Sequence, residues 1–311
     1  MFNGMSFFQV PHTILMIRPA SFGYNPETAA SNAFQKKSDD EEAVHDKAIK
    51  EFDKAVEALM ARGVSVLVIN DTPQPITTDA IFPNNWITMH QDGKIVLYPM
   101  MAPSRRKERR MDVVAQLREK YKITEVIDLS ATELEEKFLE GTGSIVFDHP
   151  NKIAYACRSE RTNEELFVLL CKRLDYKPIV FNAVDEGGQA IYHTNVMMWV
   201  GESLAGICLD AIHNEKDQEL MLNQLASTNH KVIALSYAQM NSFAGNMFEV
   251  RNRDDKRFLL MSRAAYDFLL AGQLKEMEKY LTPLPIDIGT IEESGGGSIR
   301  CMVAGIHLPV K

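Results

Sequence analysis

The chain has 311 residues and a formal net charge of −8, from 34 Lys+Arg against 42 Asp+Glu. That acidic balance disfavours nucleic-acid binding driven by phosphate neutralisation, and no apolar stretch reaches the roughly 18 residues of a membrane span. Residues 1–10 lack a basic segment followed by an apolar run. The four cysteines, Cys157, Cys171, Cys208 and Cys301, form no CxxC pair, which argues against a disulfide scaffold or structural zinc and fits reduced thiols in a cytoplasmic compartment.

The first strand is expected at residues 13–17. The connection after it, 20–37, is long, and its Phe22, Gly23, Tyr24 and Asn25 suit a lid as well as a surface loop. The acidic run Ser38-Asp39-Asp40-Glu41-Glu42 caps and charges a helix over 39–62, closed by Gly63 and followed by a strand at 64–69. From there a unit repeats about every 50 to 60 residues. A polar turn leads into a short apolar strand at 84–90, 143–149, 194–201, 245–252 and 298–305. After each of the first four, a tight turn and a second strand follow, at 95–98, 152–157, 204–209 and 257–261. Amphipathic helices are expected next, over 104–121, 162–174, 214–226 and 264–280. Third strands close these units at 124–129, 179–184, 232–235 and 286–288.

The fifth unit is assembled from both chain ends, combining 13–17, 39–62 and 64–69 with a last strand that contains Cys301. Such a permuted unit closes a ring, so the expected architecture is a five-bladed α/β propeller in one domain, residues 1–311. The basic run Arg105-Arg106-Lys107-Glu108-Arg109-Arg110 reads as the solvated face of an amphipathic helix. Cys157, Cys171 and Cys208 read as core residues.

In a ring, equivalent turns converge on one axis. They carry Asn84, Asn85, Glu140, His193, Asn195, Asn246 and Cys301. Three glycines, Gly295-Gly296-Gly297, precede Cys301 and free the backbone to present a thiol. His193, with a reference pKa of about 6.5, suits the partner that takes the thiol proton and later activates water. Glu140 suits the carboxylate that orients that imidazole.

The segments Leu139-Glu140-Gly141-Thr142-Gly143-Ser144, Tyr192-His193-Thr194-Asn195 and Gly296-Gly297-Ser298-Ile299-Arg300-Cys301-Met302 resemble, in order and spacing, the catalytic motifs of the guanidino-group modifying enzymes, the pentein superfamily. That superfamily includes arginine deiminases, dimethylarginine dimethylaminohydrolases, succinylarginine dihydrolases and amidinotransferases. The resemblance runs from Met16-Ile17-Arg18-Pro19 to Cys301. The stretch from Arg18 to Thr28 is most similar to the citrulline-utilization hydrolase type. What the resemblance implies is a propeller, covalent catalysis by Cys301, acid and base work by His193, orientation by Glu140, and neither a metal nor an organic cofactor. It also implies that Arg161, in Ser159-Glu160-Arg161-Thr162, holds a substrate α-carboxylate, a task suited to bidentate geometry.

Two departures bear on the substrate. Deiminases commonly grip the cationic guanidinium with acidic residues where this chain has Asn85 and Asn195. A carboxylate only accepts hydrogen bonds, whereas an amide also donates to the carbonyl oxygen of a neutral urea. Losing two charge-assisted bonds, at about 1.5 to 3 kcal/mol each, disfavours a guanidinium by several orders of magnitude. Asp79 remains a further substrate-side candidate. The expected partner is a small ureido or guanidino amino acid, with no nucleic acid or membrane, and a homo-oligomer is compatible with the sequence. Citrulline hydrolysis leads; arginine deimination or dimethylarginine-type hydrolysis, amidino transfer and a non-catalytic binding propeller are the competing readings.

Overall fold

The computed structural model describes residues 7–32 and 34–311. Residues 1–6, part of the amino-terminal stretch read above, and residue 33 of the 20–37 segment lie outside the described residues. The described residues form fifteen strands: β1 (Thr13–Arg18), β2 (Ser65–Asn70), β3 (Ile87–Met89), β4 (Lys94–Leu97), β5 (Glu125–Asp128), β6 (Val146–Asp148), β7 (Ile153–Cys157), β8 (Lys177–Phe181), β9 (Met198–Val200), β10 (Leu204–Ile207), β11 (Lys231–Ala234), β12 (Phe248–Arg251), β13 (Arg257–Ser262), β14 (Thr282–Ile286) and β15 (Ala304–Ile306).

They fall into five three-stranded units of one pattern. In four, a hairpin (β3–β4, β6–β7, β9–β10, β12–β13) is followed by a helical crossover to a third strand parallel to the second. The fifth unites the chain ends: β15 lies antiparallel to β1, and β1 parallel to β2. A single pairing, Ile306 with Met89, joins this unit to the β3–β4–β5 unit in a six-stranded sheet, and the other three units form separate sheets. The fold is mixed α/β, and among the described residues no sheet closes on itself.

The helices form where the periodicity dictates. In helix Glu41–Ala61 the Asp40 carboxylate accepts from Ala43 N at 3.0 Å, and Val44, Ala48, Phe52, Ala55 and Leu59, spaced by three or four residues, are buried against Ile14 and Met16 of β1. None of the helices among the described residues is long and apolar enough to cross a membrane.

Several sequence expectations need correction. The helices expected over 104–121 and 264–280 are each broken, into Pro103–Arg106 with Met111–Lys120 and into Arg263–Phe268 with Ala271–Met277. The last third strand is Thr282–Ile286 rather than 286–288. Its two prolines are accommodated because β14 is an edge strand, bonded only to β13. The first strands start later than expected, because single helical turns, Pro83–Asn85, Gly141–Ser144 and Thr194–Met197, precede β3, β6 and β9. Cys301 likewise sits in a turn, its N–H on Ser298 O at 2.9 Å, and not in the final strand.

Candidate active site

Those turns position the site. Glu140 and His193 are the residues that cap the turns before β6 and β9, Asn85 ends the turn before β3, and Asn246 closes a turn before β12 with its N–H on Phe243 O at 2.8 Å. A helical turn holds its first side chains in fixed directions, so each reactive group is set by backbone hydrogen bonds rather than by a long flexible loop.

His193 Nε2 lies 2.8 Å from Glu140 Oε2, and Glu140 Oε1 accepts from Met101 N at 3.0 Å. Burial alone would raise the Glu140 carboxyl, but the Arg161 guanidinium, 3.6 Å away, and the bond from His193 outweigh it and hold the pKa down to about 2. An ionised carboxylate only accepts, so Nε2 carries the proton. Burial lowers His193 below its ordinary value against the pull of Glu140, which keeps the ring neutral with its Nδ1 lone pair free to act as a base. Gly143 makes room for that ring: a Cβ there would lie 2.7 Å from Nδ1.

Cys301 is 8 % exposed. Asn246 Nδ2 approaches Sγ at 3.4 Å and Asn195 Nδ2 at 3.6 Å, while Asn246 Oδ1 accepts from Arg300 N at 3.1 Å. The two amides thus give the sulfur two donors, suited to a thiolate and to the oxyanion formed beside it, while Asn246 Oδ1 at 3.6 Å accepts from the thiol. Cys157, Cys171 and Cys208 are buried and free, as the core reading has them.

Beyond the thiol, a cavity of about 20 Å³ brings together Cys301, His193, Asn85, Asp79, Arg105 and Arg161. Glu140 acts on it through His193, and Asn195 through the sulfur. Asp79 Oδ2 accepts from Asn25 Nδ2 at 2.7 Å, whereas its buried Oδ1 has no partner. Burial raises the Asp79 carboxyl despite the Arg105 cation.

Arg105 corrects the reading of the basic run as a solvated face. It is 3 % exposed and donates from Nε and Nη2 to the two Glu108 oxygens at 2.9 Å each. Its Nη1 donates to Asn85 Oδ1 at 2.9 Å. Burial pushes Glu108 up to about 7, against the lowering effect of Arg105. The break after Arg106 turns this part of the segment inward; the Arg105–Glu108 spacing of three was the one signal of pairing in the sequence. Asn246 was visible at a repeated turn, but nothing in the sequence singled it out as a partner of the thiol.

The 20–37 segment covers the cavity. Arg161 donates from Nη2 to Thr28 O at 2.9 Å and from Nε to Ser31 Oγ at 3.1 Å, and its guanidinium lies 5.0 Å from the Tyr192 ring centre. Asn32 Nδ2 and Gln35 Nε2 donate to the carbonyls of Gly296 and Gly295 at 3.1 and 2.9 Å. A volume of about 20 Å³ holds about one water molecule, so an amino acid enters only when this cover moves. An outer cavity of about 840 Å³ shares Arg161 and Tyr192 with the inner one.

Comparison with known proteins places these features in context. The family profile described as N,N dimethylarginine dimethylhydrolase, eukaryotic, matches residues 18–308. No curated protein matched the sequence. Similar solved structures include apo ArgZ, an arginine dihydrolase from the ornithine-ammonia cycle in Cyanobacteria, at 14 % identity and TM-score 0.69. Here 94 % of this chain covers 39 % of ArgZ, so the chain spans well under half the length of that relative. The N-terminal domain of ArgZ bound covalently to a reaction intermediate matches at 16 % identity and TM-score 0.70, over 96 % of this chain and 98 % of that one. A dimethylarginine dimethylaminohydrolase adduct with S-methyl-L-thiocitrulline matches at 12 % identity and TM-score 0.65, over 95 % and 99 %.

Proposed function

The chain belongs to the N,N dimethylarginine dimethylhydrolase family, and from that premise we propose that it is a cysteine-dependent C–N hydrolase whose substrate is citrulline. The observation that carries the substrate choice is that Asn195 turns its amide donor toward Cys301 Sγ. It thereby offers a hydrogen bond where the ureido oxygen gains charge, and an amide offers a guanidinium only its acceptor.

In this reading the cover opens and Arg161 exchanges its contacts with Thr28 and Ser31 for the substrate α-carboxylate. His193 Nδ1 takes the thiol proton, and Sγ attacks the ureido carbon. The C–N bond to the side-chain nitrogen breaks as His193 returns that proton to the departing amine, releasing ornithine and leaving S-carbamoyl-cysteine. Water, deprotonated by His193, attacks the same carbon; the C–S bond breaks and the resulting carbamate decomposes to ammonia and carbon dioxide. No step requires a metal or organic cofactor.

A second reading, arginine as substrate, is favoured by the unpartnered Asp79 Oδ1 at the cavity wall, an acceptor suited to a cation. Closure of the five units into a five-bladed propeller of one domain is part of the same proposal, supported by one further cavity lined from all five first strands. The four unpaired cysteines support a reducing, cytoplasmic setting.

Incubating the purified protein separately with citrulline and with arginine, and measuring ornithine, citrulline and ammonia, tests the proposal. Ornithine from citrulline supports the lead, and citrulline accumulating from arginine supports deimination. Product formed equally well by Cys301→Ser would overturn covalent catalysis.

A further inference from the structure

Behind the catalytic turns lies a cavity of about 50 Å³, lined by residues of β3, β6, β9, β12 and β15. None of the groups assigned to the reaction above faces it. Its wall carries one cation, Arg300, and three histidines, His90, His149 and His307, with no carboxylate.

Arg300 is partly buried, donates from Nη1 to Val303 O at 3.0 Å, and lies 4.4 Å from the Phe248 ring centre. It has no ion-pair partner among the described residues. Burial lowers its pKa to about 10, which leaves it charged at neutral pH.

Two of the histidines rest on hydroxyls behind them. Tyr98 OH lies 2.8 Å from Thr88 Oγ1, which lies 2.8 Å from His90 Nε2. With Tyr98 donating to Thr88 and Thr88 to His90, Nε2 is the accepting nitrogen of the ring. In that arrangement the imidazole proton sits on the buried Nδ1 of His90, which has no protein acceptor and is left for an occupant of the cavity. Tyr176 OH lies 2.7 Å from His149 Nδ1, and with the hydroxyl donating there the His149 proton is on Nε2. His307 Nδ1 is also buried without a partner, and its ring centre is 4.3 Å from that of His149. His90 and His307 are 3 % and 6 % exposed.

Three neutral rings with one N–H each, beside a guanidinium that has no ion pair among the described residues and a wall without a carboxylate, are the complement of an anion. A metal does not fit: no group of three or more His, Cys, Asp or Glu side chains among the described residues is placed to hold one. The volume suits one or two water-sized occupants and no amino acid.

We propose that this central cavity binds one small inorganic anion, held by the Arg300 guanidinium and the ring N–H groups of His90, His149 and His307. Chloride and bicarbonate share the required chemistry, and bicarbonate is the hydrated form of the carbon dioxide released by ureido hydrolysis. The anion site itself stands whether or not citrulline is the substrate.

The test measures the thermal midpoint of the full chain at fixed pH and ionic strength while sodium gluconate is replaced by sodium chloride or sodium bicarbonate. The expected result is a concentration-dependent rise of several degrees. Cys301→Ala keeps the rise and Arg300→Met loses it. A rise with chloride alone makes the occupant a structural halide, and a rise with bicarbonate alone ties it to the product. If Arg300→Met fails to fold, bromide-soaked wild-type crystals decide, with an anomalous peak expected among Arg300, His149 and His307. No midpoint difference from gluconate together with no bromide peak in the cavity, or an undiminished rise in folded Arg300→Met, overturns the proposal.

Discussion

Glu140 is the side chain on which the reactive geometry turns, since it fixes both the tautomer and the direction of His193 and also neutralises Arg161. In Glu140→Gln the amide still reaches Nε2 but no longer demands a proton there. Turnover should fall by about 10²- to 10⁴-fold. The more specific signature is the pH profile. Glu140 raises the His193 pKa against burial, so its loss lowers that pKa further, and the acidic limb of kcat/KM against pH moves to lower pH. A limb that stays in place or moves upward would show that Glu140 supports folding rather than the imidazole.

At the scale of elements, the site depends on how the 20–37 segment and the glycine run grip each other. Gly296 has φ 63°, in the left-handed region, and an added Cβ would lie 2.5 Å from Asn32 Nδ2 and 2.6 Å from Gln35 Cγ. Gly296→Ala therefore carries about 1 to 2 kcal/mol of backbone strain and also pushes the cover off the glycine carbonyls. The expected outcome is a thermal midpoint lowered by a few degrees and faster alkylation of Cys301 by iodoacetamide, read by mass spectrometry of its peptide. An unchanged labelling rate in a destabilised variant would mean that these contacts do not hold the cover closed. The covering segment was legible as an over-long connection, and the helices as periodic patterns, because both depend on local residue order. Which side chains meet across the site was not. Arg105 reads as one charge in a basic run until the chain breaks after Arg106 and carries it inward to Asn85 and Glu108. Apolar residues around Cys301 give its turn the pattern of a strand, whereas backbone bonds to Ser298 curl it.

For the whole molecule, the five-unit order followed from sequence because each unit repeats one pattern of hairpin, helix and strand. What the repeat does not show on its own is that its units face one interior cavity, where His90, His149 and His307, each directly after the first strand of its unit, meet Arg300. That gathering has a thermodynamic consequence. Burial lowers His90 to a pKa of about 4 and His307 to about 3, from 6.5. A depressed imidazole binds fewer protons in the folded state, so its contribution to stability is complete above about pH 6.5 and is lost as pH falls toward those values. Glu108 and Glu292, both raised by burial to about 7 from 4.5, act in the opposite direction, contributing fully below 4.5 and losing that contribution as pH rises through 7. The net curve mixes the two, so the informative quantity is a difference. In the double variant with His90→Gln and His307→Gln, those two imidazole titrations are gone, while His149, itself lowered by burial, and the carboxylates remain. Denaturant unfolding in a gluconate buffer should show wild type losing on the order of 3 to 5 kcal/mol relative to this variant between pH 7 and pH 4.5. If the difference in unfolding free energy is the same at both pH values, the two rings are not held neutral in the folded protein.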